Sequence, residues 1–201
     1  MEISLAELAP AKRYSILASL IIPRPIALVS TISSEGVHNA APFSFFNVFG
    51  SKPPILALAP GDRTPGIPKD TARNIRESGQ FVVNMVDRPI ANGMNQAAAS
   101  LPPEISEFAL AGFTAKASTQ IAPPRIAEAP VSFECREHTT LQIGANRLVI
   151  GEILVAHIRD GILDPNTYRR IDDDSYSPIG RMHSPDWYCE TKSLFSLSRP
   201  D

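Results

Sequence analysis

Prolines are the feature that most restricts how this sequence can fold. There are 19 among 201 residues, from Pro10 near one end to Pro200 at the other. Each proline removes a backbone hydrogen-bond donor and fixes φ, so prolines suit strand ends and turns better than the interior of a helix. The chain is therefore expected to be rich in strands and ordered loops, with short helices between them.

Runs of β-branched and aromatic residues predict antiparallel hairpins. Residues 25–42, PIALVSTISSEGVHNAAP, predict two strands around a turn at 34–36, and residues 131–158 predict a second hairpin around Ala145 and Asn146. Single strands are predicted from PPILALAP and QFVVNMV. The economical closure is a small antiparallel barrel, which the pattern alone does not distinguish from a sandwich.

Short helices are predicted around these strands. ELAPAKRYSILASLI has apolar residues at near-helical spacing and predicts an amphipathic helix that ends before Pro23 and packs on a larger body. KDTARNIRESG predicts a helix capped by Asp70 or Thr71 and stopped by Gly79. One or two more are expected between residues 89 and 112, with a start at Pro102 and Pro103.

Length and charge limit the domain organisation and the partners. One domain over 1–201 is expected, with residues 1–22 forming a helix that packs on the barrel and 160–201 an irregular extension. The formal net charge of −2 and the 43% hydrophobic content argue against nucleic acid and anionic membranes as partners. No apolar run approaches the roughly 20 residues of a membrane span, and the first residues are acidic, so a cytoplasmic protein beginning at Met1 is expected.

The sequence lacks the common signatures of nucleotide, hydrolase and metalloprotease sites. It contains no GxGxxG, GxxxxGK[ST], GxSxG or HExxH. Cys135 and Cys189 have no metal-ligand spacing and are expected to be free thiols, and the four histidines also lack ligand spacing. No metal site is predicted.

Two local features do suggest a binding site. In APFSFFNVFGSKPPILAL, four phenylalanines alternate irregularly with small polar residues, which does not fit a plain core strand. In GIPKDTARN, Lys69, Thr71 and the first amides of a helix would converge where an anion is welcome. Core filling and simple helix capping are the alternatives, but together the features suit a phosphorylated planar ligand.

These segments resemble a known family. PRPIALVSTISSEGVHNAAPFSFFNVFGSKPPILALA followed by KDTARNIRESGQFVVNMV is similar to the flavin reductase-like family, and so are GANRLVIGEILVAHI and the late SPIGRMHSPDWYCET. The resemblance runs from about Pro23 to the end of the chain. It implies an FMN-binding split β-barrel, antiparallel and of Greek-key type, with short peripheral helices.

The resemblance also implies a cofactor and a set of ligands. It implies FMN bound at the interface of a homodimer, with NADH or NADPH as electron donor. Carried over residue by residue, the cofactor-binding positions are Ser30, Thr31, Pro42, Phe43, Ser44, Phe45, Phe46, Asn47, Lys69, Asp70, Thr71 and Asn74. Polar groups around Ser44 and Asn47 would bond the flavin edge, phenylalanines would form an apolar wall, and Lys69 would take the phosphate.

Three further residues complete the candidate set of cofactor ligands. Arg24 and Arg181 lie in family-like PRP and GR contexts, where each could equally form an ion pair, and Tyr188 matches the late tyrosine of the family. The intervening MHSPD departs from the family pattern. His183 and Trp187 could shape substrate access there, but an exposed histidine and a packed tryptophan are expected.

Several functions use the same cofactor site. The principal hypothesis is an NAD(P)H:flavin reductase that supplies reduced flavin to an oxygenase or another acceptor, with no protein group as obligatory acid or base. The alternative is a flavoredoxin-like electron carrier, which binds FMN tightly without turnover. An oxidase of a small substrate and a structural role without cofactor are further alternatives.

Overall fold

The computed structural model describes residues 1–64, 66–172 and 174–200. The chain is mainly β, and its strands pair antiparallel. The helices are a 3-10 turn at Leu5–Glu7, α1 (Pro10–Leu20), α2 (Asp70–Ser78), α3 (Ala91–Gln96) and α4 (Glu107–Ala111). The strands are β1 (Arg24–Pro25), β2 (Ala27–Ile32), β3 (His38–Phe43), β4 (Phe46–Ser51), β5 (Pro54–Leu58), β6 (Asp62–Thr64), β7 (Ile67–Pro68), β8 (Gln80–Met85), β9 (Ala115–Lys116), β10 (Arg125–Ile126), β11 (Val131–Ile143), β12 (Asn146–Ile158), β13 (Ile179–Arg181) and β14 (Tyr188–Glu190).

A seven-stranded sheet forms the body of the molecule. Its strand order is β3-β2-β8-β11-β12-β5-β4, and both predicted hairpins are confirmed as the pairs β2–β3 and β11–β12. Residues 141–148 at the tip of the second hairpin pair only with each other, because β8 ends its pairing at Arg136 and β5 begins its pairing at Val149. We call this projecting ribbon the hairpin arm.

The two edges of this sheet meet at one corner. Strand β3 ends at Phe43 and β4 begins at Phe46, so only Ser44 and Phe45 connect opposite edges of the sheet. Such a short connection requires the sheet to curl back on itself. Among the described residues no ladder pairs β3 with β4, so the curled sheet keeps an open seam that begins at this corner.

The phenylalanine-rich stretch is partly an edge strand, which the sequence does not predict. Of the strands that the structure describes, β5 alone pairs with β4, and the register between them shifts between Val48 and Gly50. Val48 and Phe49 are 63% and 67% exposed, so consecutive apolar residues point away from the core. Alternation fails as a signal here because the strand is not buried on one regular face.

Apolar side chains pack on both faces of the central strands. One cluster includes Phe43, Leu58 and Phe81, and the other includes Leu28, Met94 and Phe108 beneath α3 and α4. A side chain at position 151 would meet the Phe81 ring at 2.4 Å, so glycine there makes room for the largest fully buried side chain of the core. This packing fixes β8 against β12 and places the ends of β3 and β5 near one another.

Helix α2 forms where predicted but begins differently. Gly79 stops it in the left-handed conformation, with φ of 66°, as expected. The predicted capping by Asp70 or Thr71 is wrong: Lys69 is the N-cap residue and no side chain caps the helix there. Asp70 and Thr71 lie inside the first turn, where their side chains are taken up by other partners.

The middle segment contains two short helices, and the predicted proline start is wrong. Helix α4 begins at Glu107, after Ser106, whose hydroxyl accepts a hydrogen bond from the Phe108 amide. Pro102 and Pro103 instead belong to a turn, in which the Ile105 amide donates to the Pro102 carbonyl at 3.0 Å. A serine cap satisfies an amide of the first turn, whereas proline at the first helical position satisfies none.

The two ends of the chain meet in a small second sheet. Strand β1 pairs with β13, which pairs with β14, while the rest of the region after residue 160 is largely without regular structure. Helix α1 precedes β1 and buries only Ala18. No helix in the described part of the chain has the length and apolar character needed to cross a membrane.

Candidate functional site

The corner between β3 and β4 forms the floor of a cleft of about 320 Å³. Its volume lies within the range of roughly 300–1,000 Å³ that is typical of small-molecule sites. Four parts of the chain surround it: the corner itself, α1, the loops beside β5 and α2, and the hairpin arm. The lining residues are Tyr14, Pro42, Phe43, Ser44, Phe45, Ala59, Gly61, Lys69, Ala145, Asn146 and Arg147.

Aromatic rings line the cleft from its floor to its mouth. Phe43 is 7% exposed, Phe45 is 41% exposed and Tyr14 is 57% exposed. The Tyr14 and Phe45 ring centroids are 5.7 Å apart, with 31° between the ring planes. The cleft therefore offers apolar faces at increasing exposure, which suits a flat ligand.

Cationic side chains stand at the edge of the cleft. Lys69 is exposed, and its Nζ lies 5.7 Å from the centroid of the Phe43 ring. Arg147 of the hairpin arm donates through Nη1 to Asp62 Oδ1 at 2.9 Å. Because Arg147 is already paired, Lys69 is the cation better placed to receive an anion.

A buried polar network lies behind Lys69. Asn39 Oδ1 accepts hydrogen bonds from Thr71 Oγ1 at 2.9 Å and Thr31 Oγ1 at 3.3 Å, and Asn74 Nδ2 donates to Thr31 Oγ1 at 3.0 Å. Three residues that the family resemblance offers as cofactor ligands are thus linked, Thr31 and Thr71 through Asn39 and Asn74 directly to Thr31. Their side chains are at most 1% exposed, and we call this group, with Glu107, the polar network.

Glu107 closes the polar network on the side of α4. Its Oε2 accepts from Asn39 Nδ2 at 2.9 Å and from the Ala40 amide at 3.2 Å. Burial raises the pKa of the Glu107 carboxyl, although the hydrogen bonds from Ala40 and Asn39 oppose that shift. A small cavity of about 100 Å³ adjoins Glu107 and shares Pro42 and Lys69 with the cleft.

Asp70 forms salt bridges with two arginines and does not line the cleft. Its carboxylate contacts Arg63 and, at 2.7 Å, Arg73 Nη2. The side chain is about 10% exposed. The start of α2 therefore keeps its own carboxylate occupied, which leaves Lys69 less shielded by negative charge.

The remaining positions of strands β2 and β4 lie outside the cleft lining. Ser30 Oγ donates to the Pro124 carbonyl at 2.6 Å and accepts from Asn84, in a separate buried network. Phe46 packs against the core cluster that includes Phe43 and Phe81. Asn47 is exposed, and its Oδ1 accepts from the Val48 amide at 2.8 Å.

Arg24 is a buried connector rather than a surface ion-pair residue. Its guanidinium donates to Ser44 Oγ at 3.3 Å, to the carbonyls of Ala18 and Ile21, and to the Met182 carbonyl at 3.0 Å. Burial lowers the pKa of Arg24 from its ordinary value. Arg24 thus touches the cleft corner while its hydrogen bonds are directed at structural partners.

Arg181 and Tyr188 lie together on the small sheet. The Arg181 guanidinium carbon is 4.7 Å from the centroid of the Tyr188 ring, and Arg181 pairs in register with Arg24. Neither lines the 320 Å³ cleft. Tyr188 instead lines a separate cavity of about 660 Å³ between α3 and β14.

The segment between these two residues differs from expectation in one respect. His183 is exposed, as predicted, but the packed Trp187 is wrong, because Trp187 is 60% exposed and stacks on His183 with centroids 6.0 Å apart. Cys135 is a buried thiol whose pKa is raised by burial, and Cys189 is also unpaired. Within the described ranges, no three histidine, cysteine or carboxylate side chains gather as metal ligands.

Sequence reasoning missed four residues around the site: Tyr14, Asn39, Glu107 and Arg147. Tyr14 shares the near-helical spacing of Leu17, Ala18 and Ile21, which predicts packing on the body of the protein, although Tyr14 is more than half exposed. Arg147 directly follows the predicted turn at Ala145 and Asn146. Charged residues next to that turn are therefore the sequence signal that could have identified it. For Asn39 and Glu107, which are 68 residues apart, no local pattern exists.

Comparison with known proteins identifies the family. The family model described as "Flavin reductase like domain" matches residues 19–176. The chain belongs to this family. As a member, it has the fold expected from its sequence, and the family implies a flavin cofactor and oxidoreductase chemistry.

Solved structures agree with this membership. The 2-nitrobenzoate 2-nitroreductase NbaA of Pseudomonas fluorescens is 37% identical over 100% of this chain and 96% of its own, with a TM-score of 0.90. Nitrilotriacetate monooxygenase component B of Bacillus cereus is 32% identical over 98% of both chains, with a TM-score of 0.92.

A third comparison concerns the fold alone. A protein of Shewanella frigidimarina, assigned as a flavin reductase with a split barrel domain, covers 100% of both chains at 21% identity and a TM-score of 0.82. The split-barrel description therefore applies to the curled sheet with its open seam.

The cleft fits the chemistry of a flavin. Phe43 and Phe45 provide the flat apolar surfaces that an isoalloxazine ring requires, and Tyr14 continues the aromatic lining at the mouth of the cleft. If a flavin is bound here, the Ser44 hydroxyl and the neighbouring backbone would be available to the polar edge of the ring, and Lys69 would offer charge to a phosphate. The donor set thus combines one anion-binding group with an aromatic wall.

Proposed function

We propose that this member of the flavin reductase family binds FMN in the 320 Å³ cleft and reduces it with NADH or NADPH. The observation that carries the proposal is the cleft itself. Its lining combines aromatic side chains of increasing exposure with the cation of Lys69, whose Nζ lies beside the Phe43 ring. A single phosphate beside one lysine favours FMN over the longer FAD. The 660 Å³ cavity has no lysine in its lining, and its arginine, Arg88, lies 3.7 Å from the carboxylate of Glu190 in the same lining, so an anion is less favoured there.

The residues of the chain have distinct tasks in this function. Lys69 holds the phosphate, Phe43 supports the ring from the floor of the cleft, and Ser44 donates or accepts at its polar edge. The polar network holds the start of α2, and with it Lys69, against β2 and β3. These groups bind and orient, and neither Lys69 nor Ser44 has to transfer a proton.

The bound flavin supplies the hydride-accepting ring, so the protein contributes position and access. A nicotinamide needs ring contact at about 3 to 3.5 Å to react. The mouth of the cleft, at Tyr14 and Phe45, is its route of approach. The open mouth is consistent with exchange of donors and acceptors at one face.

We also propose that a second copy of the chain covers β4. Val48 and Phe49 present adjacent exposed apolar side chains on an edge strand, and an exposed apolar edge favours association. This strand continues directly from the cleft corner. A homodimer formed here would place the flavin near its interface.

The solved nitroreductase favours a second candidate function. Because NbaA is 37% identical over almost the whole length, reduction of an aromatic nitro compound by the bound flavin is the best-supported alternative. The monooxygenase component B favours transfer of reduced flavin to a partner oxygenase. The two functions differ in the acceptor and use the same cleft.

One anaerobic experiment tests these functions. The purified protein is loaded with FMN, NADH or NADPH is added, and bleaching of the visible flavin band is followed. The expected result is bleaching, followed by turnover with excess FMN. If the nicotinamide is oxidised repeatedly with 2-nitrobenzoate as acceptor but not with excess FMN, the nitroreductase alternative is supported. If dithionite reduces the bound flavin but neither nicotinamide does, the electron-carrier alternative is supported and the reductase is contradicted.

A further inference from the structure

Helix α1 covers part of the cleft although it has little packing of its own. Ala18 is its only buried residue among 11, while Tyr14 and Leu17 are 57% and 39% exposed. A helix of 11 residues is marginal in water without tertiary contacts. Its position must therefore depend on a few specific interactions.

Arg24 supplies those interactions. Its Nη1 donates to the carbonyls of Ala18 and, at 2.9 Å, Ile21, where the helix ends. The last carbonyls of a helix lack intrahelical donors and carry partial negative charge, so a guanidinium is well suited to them. Through Nε and Nη2, the same group holds Ser44 and Met182. Arg24 thus fixes the helix relative to the cleft corner.

Tyr14 is the residue that this arrangement brings to the mouth of the cleft. Its ring lies 5.7 Å from Phe45, whose ring also lies 5.9 Å from the Arg24 guanidinium carbon. The aromatic series from Phe43 through Phe45 to Tyr14 becomes steadily more exposed. A ring that enters after the floor is covered meets Tyr14.

We propose that Tyr14 is a specificity-determining residue for the second planar ring that enters the flavin cleft, and that Arg24 positions it. The inference rests on the proposed function, because the first ring is the flavin. It assigns to α1 the selection of flat aromatic donors and acceptors over non-planar ones. An aromatic side chain can select flat ligands because aromatic rings favour stacked and tilted contacts with one another.

The test compares three variants of the full-length protein loaded with FMN. Tyr14→Ala removes the ring, Tyr14→Phe keeps it, and Leu20→Ala truncates an apolar side chain on the same helix that does not line the cleft. Tyr14→Ala is expected to raise KM for NADH about threefold to tenfold with kcat little changed. Tyr14→Phe and Leu20→Ala are expected to match the parent protein.

Two further measurements separate selection from general damage. Reduction of the bound flavin by dithionite, which has no ring, is expected to be as fast in Tyr14→Ala as in the parent. Arg24→Lys keeps the charge but loses the fork that reaches several acceptors. It is expected to raise KM for NADH, and adding Tyr14→Ala to it should raise KM no further, because the ring is already displaced.

The outcomes distinguish this inference from the proposed function. An unchanged KM for NADH in Tyr14→Ala overturns the inference while the parent protein remains an active reductase. A loss of FMN affinity equal to the rise in KM also overturns it, since Tyr14 would then contact the first ring. A parent protein that neither binds FMN nor oxidises NADH overturns both.

Discussion

At the scale of single residues, the partner of each charged group decides what it can bind. Asp70 forms salt bridges with two arginines, and Arg147 forms one with Asp62. The Arg24 guanidinium donates its hydrogen bonds to backbone carbonyls and to Ser44. Lys69 has an aromatic neighbour but no carboxylate within salt-bridge distance among the described residues. It is therefore the residue on which the proposed recognition of the FMN phosphate would depend most.

Replacement of Lys69 tests this assignment. In Lys69→Ala, the Kd for FMN is expected to rise about tenfold to a hundredfold, the range for loss of a hydrogen bond to a charged group. Riboflavin, which has no phosphate, should bind the variant and the parent equally. Quenching of flavin fluorescence measures both affinities.

The exposed Lys52, in the turn between β4 and β5, provides the matched control. Lys52→Ala is expected to bind FMN as the parent does. Equal weakening of riboflavin and FMN by Lys69→Ala would argue against phosphate recognition by this residue.

Sequence predicted the residues at the cleft better than it predicted their contacts. Pro42 to Phe45 and Lys69 were indicated by unusual local composition, and all of them line the cleft. Thr31, Thr71 and Asn74 were offered as ligands, yet their side chains hydrogen-bond within the polar network. Pairing of side chains across separate strands and helices depends on the completed fold, which a local pattern does not contain.

At the scale of secondary structure elements, the polar network joins α4 and α2 through two strands. Glu107 bonds Asn39 on β3, and Asn39 bonds Thr71 on α2 and Thr31 on β2. Removal of the carboxylate leaves the Asn39 amide and the Ala40 amide without an acceptor. We infer that Glu107 positions α2 from a distance.

The acid dependence of stability tests the burial of Glu107. Because burial raises its pKa, the folded protein binds a proton more readily than the unfolded chain does, and the free energy of unfolding should increase as pH falls toward the ordinary value near 4.5. This gain is complete below 4.5, where both states are protonated. Glu107→Gln does not titrate and should lack it.

Urea unfolding at several pH values between 7.5 and 4.5 measures the effect. The difference in free energy of unfolding between the parent and Glu107→Gln is expected to shift in favour of the parent as pH falls. Glu104→Gln, at an exposed position in the turn that precedes α4, is the control and should show no such trend. A constant difference across the range would mean that Glu107 is not desolvated as described.

The elements themselves were predictable where pattern and end signals agreed. Both hairpins and α2 combine a clear periodicity with turn residues, and Gly79 stops α2 as its position indicates. Strand β4 was not predicted because its exposed Val48 and Phe49 interrupt alternation. The start of α4 was misplaced because two prolines are a strong signal, whereas the true Ser106 cap is a common residue.

At the scale of the whole molecule, the open seam places the proposed flavin cleft beside a sheet edge that no other described strand pairs with. The chain continues from the cleft corner into β4 after two residues. The same edge carries the two adjacent exposed apolar side chains. Ligand binding and association between copies of the chain are therefore expected to influence each other.

Charge on β4 tests the proposed dimer. The parent protein is expected to sediment as a dimer, and Val48→Lys combined with Phe49→Lys as a monomer, because paired lysines would be buried against their copies. Leu110→Lys, at a position 48% exposed on α4, should leave the dimer intact. A dimer that survives both lysines would move the interface away from β4.

The fold of the whole molecule followed from resemblance rather than from strand counting. Alternating hairpins indicated a barrel or a sandwich, and only the order of the family motifs indicated the split barrel. The curl of the sheet depends on the two-residue link between β3 and β4, which brings the two edge strands together. The alternation of apolar and polar residues within each strand does not contain this information.

The hairpin arm gives the cleft one wall of low local stability. No strand in the described part of the chain pairs with residues 141–148 from outside the ribbon, and the Arg147–Asp62 salt bridge ties the ribbon to β6. A two-stranded ribbon is marginal in isolation, so this segment is expected to open and reclose far more often than the seven-stranded body. Its amides would exchange with solvent through these brief openings. Large ligands could thus enter by local fraying of one wall while the barrel stays folded.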